Sequence, residues 1–179
     1  PTLMGNSPFH GPWNSFFGYS TSLSDDGKII AIGGYKGTAP SSEDTGLIQI
    51  YEYNETSWVQ LGTNLYGLEG DKAGWSVSLN GAGNILAVGA PTPSSPGPGT
   101  VRIYEYDGTE EFNWIELGDP IVGEQTGDAF GACVSLNTAG SRVAIGATFA
   151  PGTADLGVTK VYEYNVSHQI WEQLGQSIE

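Results

Sequence analysis

The chain repeats itself three times, and that repetition limits its possible folds more than any other feature. Phe17-Gly18-Tyr19-Ser20-Thr21-Ser22-Leu23 continues to Ile29-Ile30-Ala31-Ile32-Gly33-Gly34. Gly74-Trp75-Ser76-Val77-Ser78-Leu79 continues to Ile85-Leu86-Ala87-Val88-Gly89-Ala90. Phe130-Gly131-Ala132-Cys133-Val134-Ser135-Leu136 continues to Val143-Ala144-Ile145-Gly146-Ala147. The aligned glycines Gly18, Gly74 and Gly131 set a period of 56 and then 57 residues. Later landmarks keep the same phase. Tyr-Glu-Tyr recurs at 51–53, 104–106 and 162–164, followed by Trp58, Trp114 and Trp171. Leu61-Gly62, Leu117-Gly118 and Leu174-Gly175 close the units. A tandem unit of this size buries its apolar surface by stacking on its neighbours.

Each unit reads as four strands. The first alternates small polar and apolar residues, as in Ser76-Val77-Ser78-Leu79, and a turn with Gly27, Gly83 or Gly140 follows. The second is a short apolar run of the length of a buried strand. After a loop rich in Ser, Thr, Pro and Gly, the third alternates strictly. Its period of two puts Val101 and Ile103 on one face and Arg102, Tyr104 and Tyr106 on the other. The fourth carries the Trp and ends at Leu-Gly. With 27 Gly and 10 Pro in 179 residues, long helices are excluded. The expected fold is all-β, with three tandem four-stranded antiparallel blades in a β-propeller-like arrangement, incomplete or assembled with further blades. The blades are expected at 1–62 (with an N-terminal junction segment), 63–118 and 119–179.

Phe130-Gly131 followed by Gly146-Ala147 resembles the FG-GAP repeat of integrin-type β-propellers. Phe17-Gly18 with Gly33-Gly34, and Gly74 with Gly89-Ala90-Pro91, match it less fully. The longer register of Val-Ser-Leu-Asn, Ala-x-Gly-Ala and Tyr-Glu-Tyr is similar to FG-GAP-like repeats in extracellular proteins of algae and other protists. The resemblance implies propeller blades and an extracellular setting. It specifies no activity, because propellers host many. Calcium-binding members carry Asp-x-Asp-x-Asp-Gly between strands. The turns here are Ser24-Asp25-Asp26-Gly27, Asn80-Gly81-Ala82-Gly83 and Asn137-Thr138-Ala139-Gly140, so no calcium site is carried over.

Closed propellers have about four to eight blades, so three leave faces and strand edges open to association. Thr2-Leu3-Met4-Gly5 resembles the Leu-Gly junction with which Leu174-Gly175 closes the third unit, so the chain starts and stops in one repeat phase. The expected partners are further copies of the chain or additional blades of a longer one, meeting head to tail. A net charge of −14 argues against nucleic acid and anionic lipid as partners. No apolar stretch is long enough for a transmembrane helix, and membrane insertion is not expected.

Asn54-Glu55-Thr56 and Asn165-Val166-Ser167 are N-glycosylation sequons at equivalent turns after the third strand. N-linked glycans at Asn54 and Asn165 are expected, against the simpler reading that Asn suits a turn. Glu52, Glu105 and Glu163 recur on the face of the apolar third-strand residues. They read either as a carboxylate ring near the axis, binding a cation or sugar, or as structural carboxylates. Trp58, Trp114 and Trp171 are expected as anchors between blades. Trp75 stands where the other repeats have Tyr19 and Ala132, so it is the candidate exposed ligand contact. Glu69-Gly70-Asp71 and the 124–128 loop read as solvated junctions, with cation binding as the alternative. Pro91–Gly99 reads as an extended linker or a site of O-glycosylation or hydroxylation. Cys133 is the single cysteine, expected as a buried free thiol.

Motifs for serine hydrolases, zinc proteases and phosphate-binding loops are absent, and neither His10 nor His168 sits in a triad pattern. Carboxylate-only chemistry of the glycosidase kind stays open on sequence. No enzymatic activity, cofactor or metal is expected, and no catalytic residue is assigned. The expected function is that of an extracellular, secreted or cell-surface, structural or adhesive repeat protein that self-assembles. The alternative is a lectin-like module binding carbohydrate or protein.

Overall fold

The computed structural model describes residues 14–40, 44–91, 97–108, 114–148 and 157–178. These residues form three antiparallel sheets and no helix. The first sheet holds β1 (Ser20–Leu23), β2 (Ile29–Gly34), β3 (Leu47–Tyr53), β4 (Trp58–Gln60) and β5 (Leu65–Tyr66). The second holds β6 (Ser76–Leu79), β7 (Ile85–Ala90), β8 (Thr100–Tyr106), β9 (Trp114–Glu116) and β10 (Ile121–Val122). The third holds β11 (Phe130–Leu136), β12 (Arg142–Ala147), β13 (Val158–Asn165) and β14 (Ile170–Gln173).

Each sheet is a four-stranded meander whose outermost strand is broken in two. β3 pairs with β4 along its second half and with β5 at its start, and β8 does the same with β9 and β10. In the third sheet Ile178 bridges to Thr159 where β5 and β10 pair in the others. The break falls at each Leu-Gly pair. β5 and β10 therefore pair in the first and second sheets, although they follow the Leu-Gly pairs that close those repeats.

Turn chemistry fixes the first hairpin of every blade. Ile85 N–H donates to Asn80 Oδ1 at 2.9 Å and Arg142 N–H to Asn137 Oδ1 at 2.9 Å. In the first blade Ile29 N–H donates to Ser24 Oγ at 2.9 Å. Asn and Ser at this position give the backbone a side-chain acceptor that closes the turn.

The core lies between the sheets. One layer packs Ala31, Ile48 and Ile50 of the first blade against Val77, Leu79, Leu86, Val88, Tyr104 and Trp114 of the second. The other packs Ala87, Val101 and Ile103 of the second blade against Phe130, Val134, Val143 and Ile145 of the third. The alternation of β8 thus feeds two cores. Val101 and Ile103 face the third blade, while Tyr104, on the opposite face, is buried against the first.

A polar seam runs through these layers where first strands of adjacent blades meet. Ser20 Oγ donates to Gly74 O at 2.7 Å, and Ser76 Oγ to Gly131 O at 2.8 Å. Ser22 Oγ accepts from Leu79 N–H at 2.9 Å, and Ser78 Oγ from Leu136 N–H at 2.9 Å. Asp25 N–H donates to Gly81 O and Gly81 N–H to Thr138 O, each at 2.9 Å. At the outer side Trp114 Nε1–H reaches Leu61 O at 3.1 Å and Trp171 Nε1–H reaches Leu117 O at 2.8 Å. These two tryptophans anchor each blade to the preceding Leu-Gly pair.

The seam explains two glycines. A Cβ on Gly33 would overlap the Gly74 carbonyl and Ser20 Oγ, and one on Gly89 would overlap the Gly131 carbonyl and Ser76 Oγ. The equivalent Gly146 faces no following blade among the described residues, and a Cβ there would find Cys133 Cβ at 3.6 Å. Cys133 is exposed, which corrects the expectation of a buried thiol. Its counterparts Ser20 and Ser76 are covered by the next blade, and no described residue covers the third.

Gly89→Ala will destabilise the chain by about 3 kcal/mol, because backbone must give way at the seam. Gly146→Ala will change stability by less than about 1 kcal/mol. Urea unfolding of the two variants reads the difference. Burial, with Glu116 adding to it, pushes the Tyr104 hydroxyl from 10.0 up to about 12. Below the unfolded value this tyrosine contributes no pH dependence. From pH 10 towards 12 the unfolded chain releases the proton and the folded chain retains it, so stability falls by about 1.4 kcal/mol per pH unit. Tyr104→Phe will flatten that part of the alkaline unfolding profile.

Candidate functional site

Trp75 does not stand alone. It immediately precedes β6, and Tyr19 holds the same position before β1. Tyr35 follows β2 directly, at the same end of the sheets. The Tyr19 and Trp75 ring centroids are 5.1 Å apart, Tyr35 and Trp75 4.8 Å, and Tyr19 and Tyr35 4.7 Å. Phe16 extends the group, 5.3 Å from Tyr35, with Lys36 Nζ 5.4 Å above its ring. Tilted and edge-on contacts at these separations are favourable geometries for aromatic pairs.

The patch bridges the first two blades and remains open to solvent. Phe16 and Tyr19 are each 50% exposed, and Tyr35 and Trp75 are half-buried. The fold itself does not require these rings. The third repeat carries Ala129, Ala132 and Thr148 where the first carries Phe16, Tyr19 and Tyr35. Aromatic faces with one cation at the rim can stack on the apolar faces of sugars or receive apolar side chains.

The sequons lie at the opposite end of the blades. Asn54 follows β3, whose end lies beside the start of β2 rather than its finish. Asn54 is exposed, and its Oδ1 accepts from Thr56 N–H at 3.1 Å and Ser57 N–H at 2.9 Å. Asn165 closes β13, and its Oδ1 accepts from Ser167 N–H at 3.1 Å. Its Nδ2 lies 3.2 Å from Glu172 Oε2 and 3.1 Å from His168 Nδ1. Glycans at this end would leave the aromatic patch clear.

Glu52, Glu105 and Glu163 are not brought together. They sit towards the ends of β3, β8 and β13, two strands out from the first strands that meet between blades. Glu52 is exposed. Glu105 lines a cleft between the second and third blades, with Ile85, Leu117, Gly140, Tyr164 and Gln169. Glu163 Oε1 pairs with Arg142, accepting from Nε at 2.9 Å. A ring of carboxylates around the axis is therefore not formed by these three.

In the acidic junction loops Glu69 and residues 124–127 are exposed, but the two aspartates are not. Asp71 and Asp128 are 6% and 8% exposed, which corrects the solvated reading for these two side chains. Asp71 Oδ2 accepts from Leu68 N–H at 3.0 Å, and Asp128 Oδ2 from Gln125 N–H at 2.9 Å. Each carboxylate closes its own loop ahead of the next first strand. Glu124 in turn pairs with the largely buried Lys160. Among the described residues no three His, Cys, Asp or Glu side chains gather as a metal site. Trp13, His10 and residues 92–96 of the Pro-rich segment lie outside the described residues.

Sequence reasoning singled out Trp75 but missed Tyr19, Tyr35 and Phe16 as its neighbours. The available signal was that two aromatics flank the first hairpin of the first repeat, and that register places Trp75 beside them.

The architecture is of the β-propeller-like class. It is similar to the crystal structure of Sqt1 from Saccharomyces cerevisiae, at a TM-score of 0.59 and 17% identity over 98% of this chain. It is also similar to the structure named "putative 6-phosphogluconolactonase" from Bacteroides uniformis, at a TM-score of 0.58 and 13% identity over 88% of this chain. The chain spans only 38% and 39% of those two proteins. At such identities the likeness is one of fold, and the enzyme name belongs to the neighbour. No family model matches the chain, and a search of curated proteins finds no match.

The geometry gives a prediction for Trp75. Replacing it with Ala, the residue of the third repeat, will cost less than about 1.5 kcal/mol because the ring is part-buried against Tyr19 and Tyr35 and lies outside both core layers. Trp114→Ala will cost about 3–5 kcal/mol, because it empties a core position and orphans the Leu61 carbonyl. Chemical denaturation of the two variants measures both.

Proposed function

We propose that the chain is a non-enzymatic, extracellular and N-glycosylated structural repeat protein that assembles with further blades through its sheet faces. The observation that supports this reading is the face of the third blade. It keeps three positions of the docking set of the first two, with Ser135 in the place of Ser22 and Ser78, Ala144 in that of Ala31 and Ala87, and Gly146 in that of Gly33 and Gly89, while Cys133 replaces Ser20 and Ser76. Ala31 and Ala87 are fully buried by the following blade, whereas Ala144 is partly exposed and Ser135 exposed. Among the described residues no backbone carbonyl occupies the space over Gly146 as Gly74 O and Gly131 O do over Gly33 and Gly89. Glycans at Asn54 and Asn165 and the net charge of −14 keep the rest of the surface soluble.

Association of blade on blade would produce a ring where the rotation closes and a filament where it does not. Light scattering and electron microscopy of the native material are expected to show particles heavier than one glycosylated chain, as rings or filaments. Treatment with peptide N-glycosidase is expected to lower the mass at Asn54 and Asn165. A single-chain mass at every concentration would overturn the assembly reading, and an unchanged mass would overturn the glycosylation.

The aromatic patch favours a second reading, a lectin-like module. Tyr19, Tyr35 and Trp75 would then stack on a saccharide. On a glycan array this reading expects hits that Trp75→Ala abolishes, and an empty array would count against it.

A further inference from the structure

We infer that the occupant of the third blade's open face is the first blade of a second copy of this chain, held in register by two pairs of opposite charges. The inference rests on the assembly reading and specifies its contact.

The two internal interfaces define what such a contact looks like. The residue that opens the second strand of one blade lies over the turn glycine of the next. Ile29 Cδ1 is 2.8 Å from the position of a Cβ on Gly83, and Ile85 Cδ1 is 2.6 Å from that on Gly140. Beside it sits the strand-three glutamate. Ile85 and Glu105 line one cleft with Ala139, Gly140 and Ser141 of the following blade. Those residues flanking the turn glycine are uncharged, as are Ala82 and Asn84 at the earlier interface.

The outward faces of the first and third blades depart from that pattern together. The third blade has Arg142 where the others have Ile29 and Ile85, opposite Glu163 in register and bonded to it. The first blade's turn has Asp26 and Lys28 where the others have Ala82 and Asn84, or Ala139 and Ser141. Gly27 between them has nothing within 4 Å of a Cβ position. Laid over one another as the internal blades are, the two faces set Arg142 over Gly27, against Asp26, and Glu163 against Lys28. Lys28 now leans on Glu55 at 3.6 Å, a solvent-exposed pair of little energetic weight.

The remainder of the seam is complementary as well. The first blade offers Gly18 O, Leu23 N–H and Asp25 O in the places of Gly74 O, Leu79 N–H and Gly81 O. The third offers Cys133, Ser135 Oγ and Thr138 N–H in the places of Ser20, Ser22 Oγ and Asp25 N–H. Leu23 is 55% exposed although its counterpart Leu79 is buried, so apolar surface awaits cover at this face. Ala144 and Val161 supply the opposing apolar surface on the third blade, in the positions of Ala31 and Ile50. The contact is head to tail, uses each face once, and leaves both ends of a pair able to continue.

Sedimentation velocity on the whole chain tests it. Asp26→Lys and Arg142→Glu are each expected to weaken self-association at least tenfold, because each places like charges opposite one another. An equimolar mixture of the two variants is expected to associate again, since every contact in an alternating assembly then joins opposite charges. Gly146→Leu, which fills the seam, is expected to abolish association whatever the charges. Thermal melts of the dilute variants show that the blades remain folded. Association of the wild type that neither the charge reversals nor Gly146→Leu weakens would overturn this contact while leaving assembly through another surface standing. A wild type that stays monomeric would overturn the contact and the assembly reading together.

Discussion

The structure depends on a hydroxyl donating to a glycine carbonyl across the boundary between blades. Ser20 to Gly74 and Ser76 to Gly131 are short, part-buried bonds, and each is possible only because a glycine in the neighbouring strand lets the carbonyl in. Polar groups buried at an interface without partners would cost roughly 1–3 kcal/mol each. Here first-strand edge groups that a lone sheet would leave to solvent are satisfied by the next sheet. Leu79 N–H and Leu136 N–H, on the innermost edges, find Ser22 and Ser78 rather than water. The edge that endangers an isolated sheet becomes the joint of the array.

That joint orders everything around it. With first strands pinned at the centre, the apolar faces of β2 and β3 close on those of β7 and β8, and the tryptophans at the outer edge complete the contact through the Leu-Gly carbonyls. The chain enters each blade at one end and leaves strand three at the other. Phe16, Tyr19, Tyr35 and Trp75 are thereby collected at the entry end, and Asn54 and Asn165 at the far end. One end carries exposed rings and the other the predicted glycans, a segregation that follows from meander topology.

Much of this was legible in the sequence. Strand identity, the alternation of β8 and the inter-blade role of Trp114 and Trp171 follow from period and repeat register, because what recurs in every unit serves the unit. What escaped depends on neighbours in space. Cys133 occupies a position that is covered in the first two repeats, and only the lack of a following blade among the described residues exposes it. Asp71 and Asp128 look like solvated acids in a Gly-rich loop, yet their carboxylates fold back on backbone N–H groups three residues earlier. The meeting of Tyr35 with Trp75 shows in repeat register alone and in no local pattern, because the contact crosses between blades 40 residues apart in the chain. The broken outer strand was hidden too, since two-residue segments such as β5 and β10 carry no period.

In a tandem array, agreement between repeats reports the fold and disagreement reports the circumstances of each unit. Serines, glycines and tryptophans that agree build the seam. Arg142, Asp26 and Lys28 disagree with their counterparts, and they do so on faces that meet no described blade. Random drift would scatter charge over exposed positions without regard to a partner. Here a cation and an anion on one face correspond to an anion and a cation on the other, at positions that internal blades bring together. Trp75, Tyr19 and Tyr35 disagree with the third repeat in a different way, by adding apolar rings where the fold needs none. Exposed aromatic area of this kind is costly to keep in water, and its concentration at one end is what the lectin-like reading rests on.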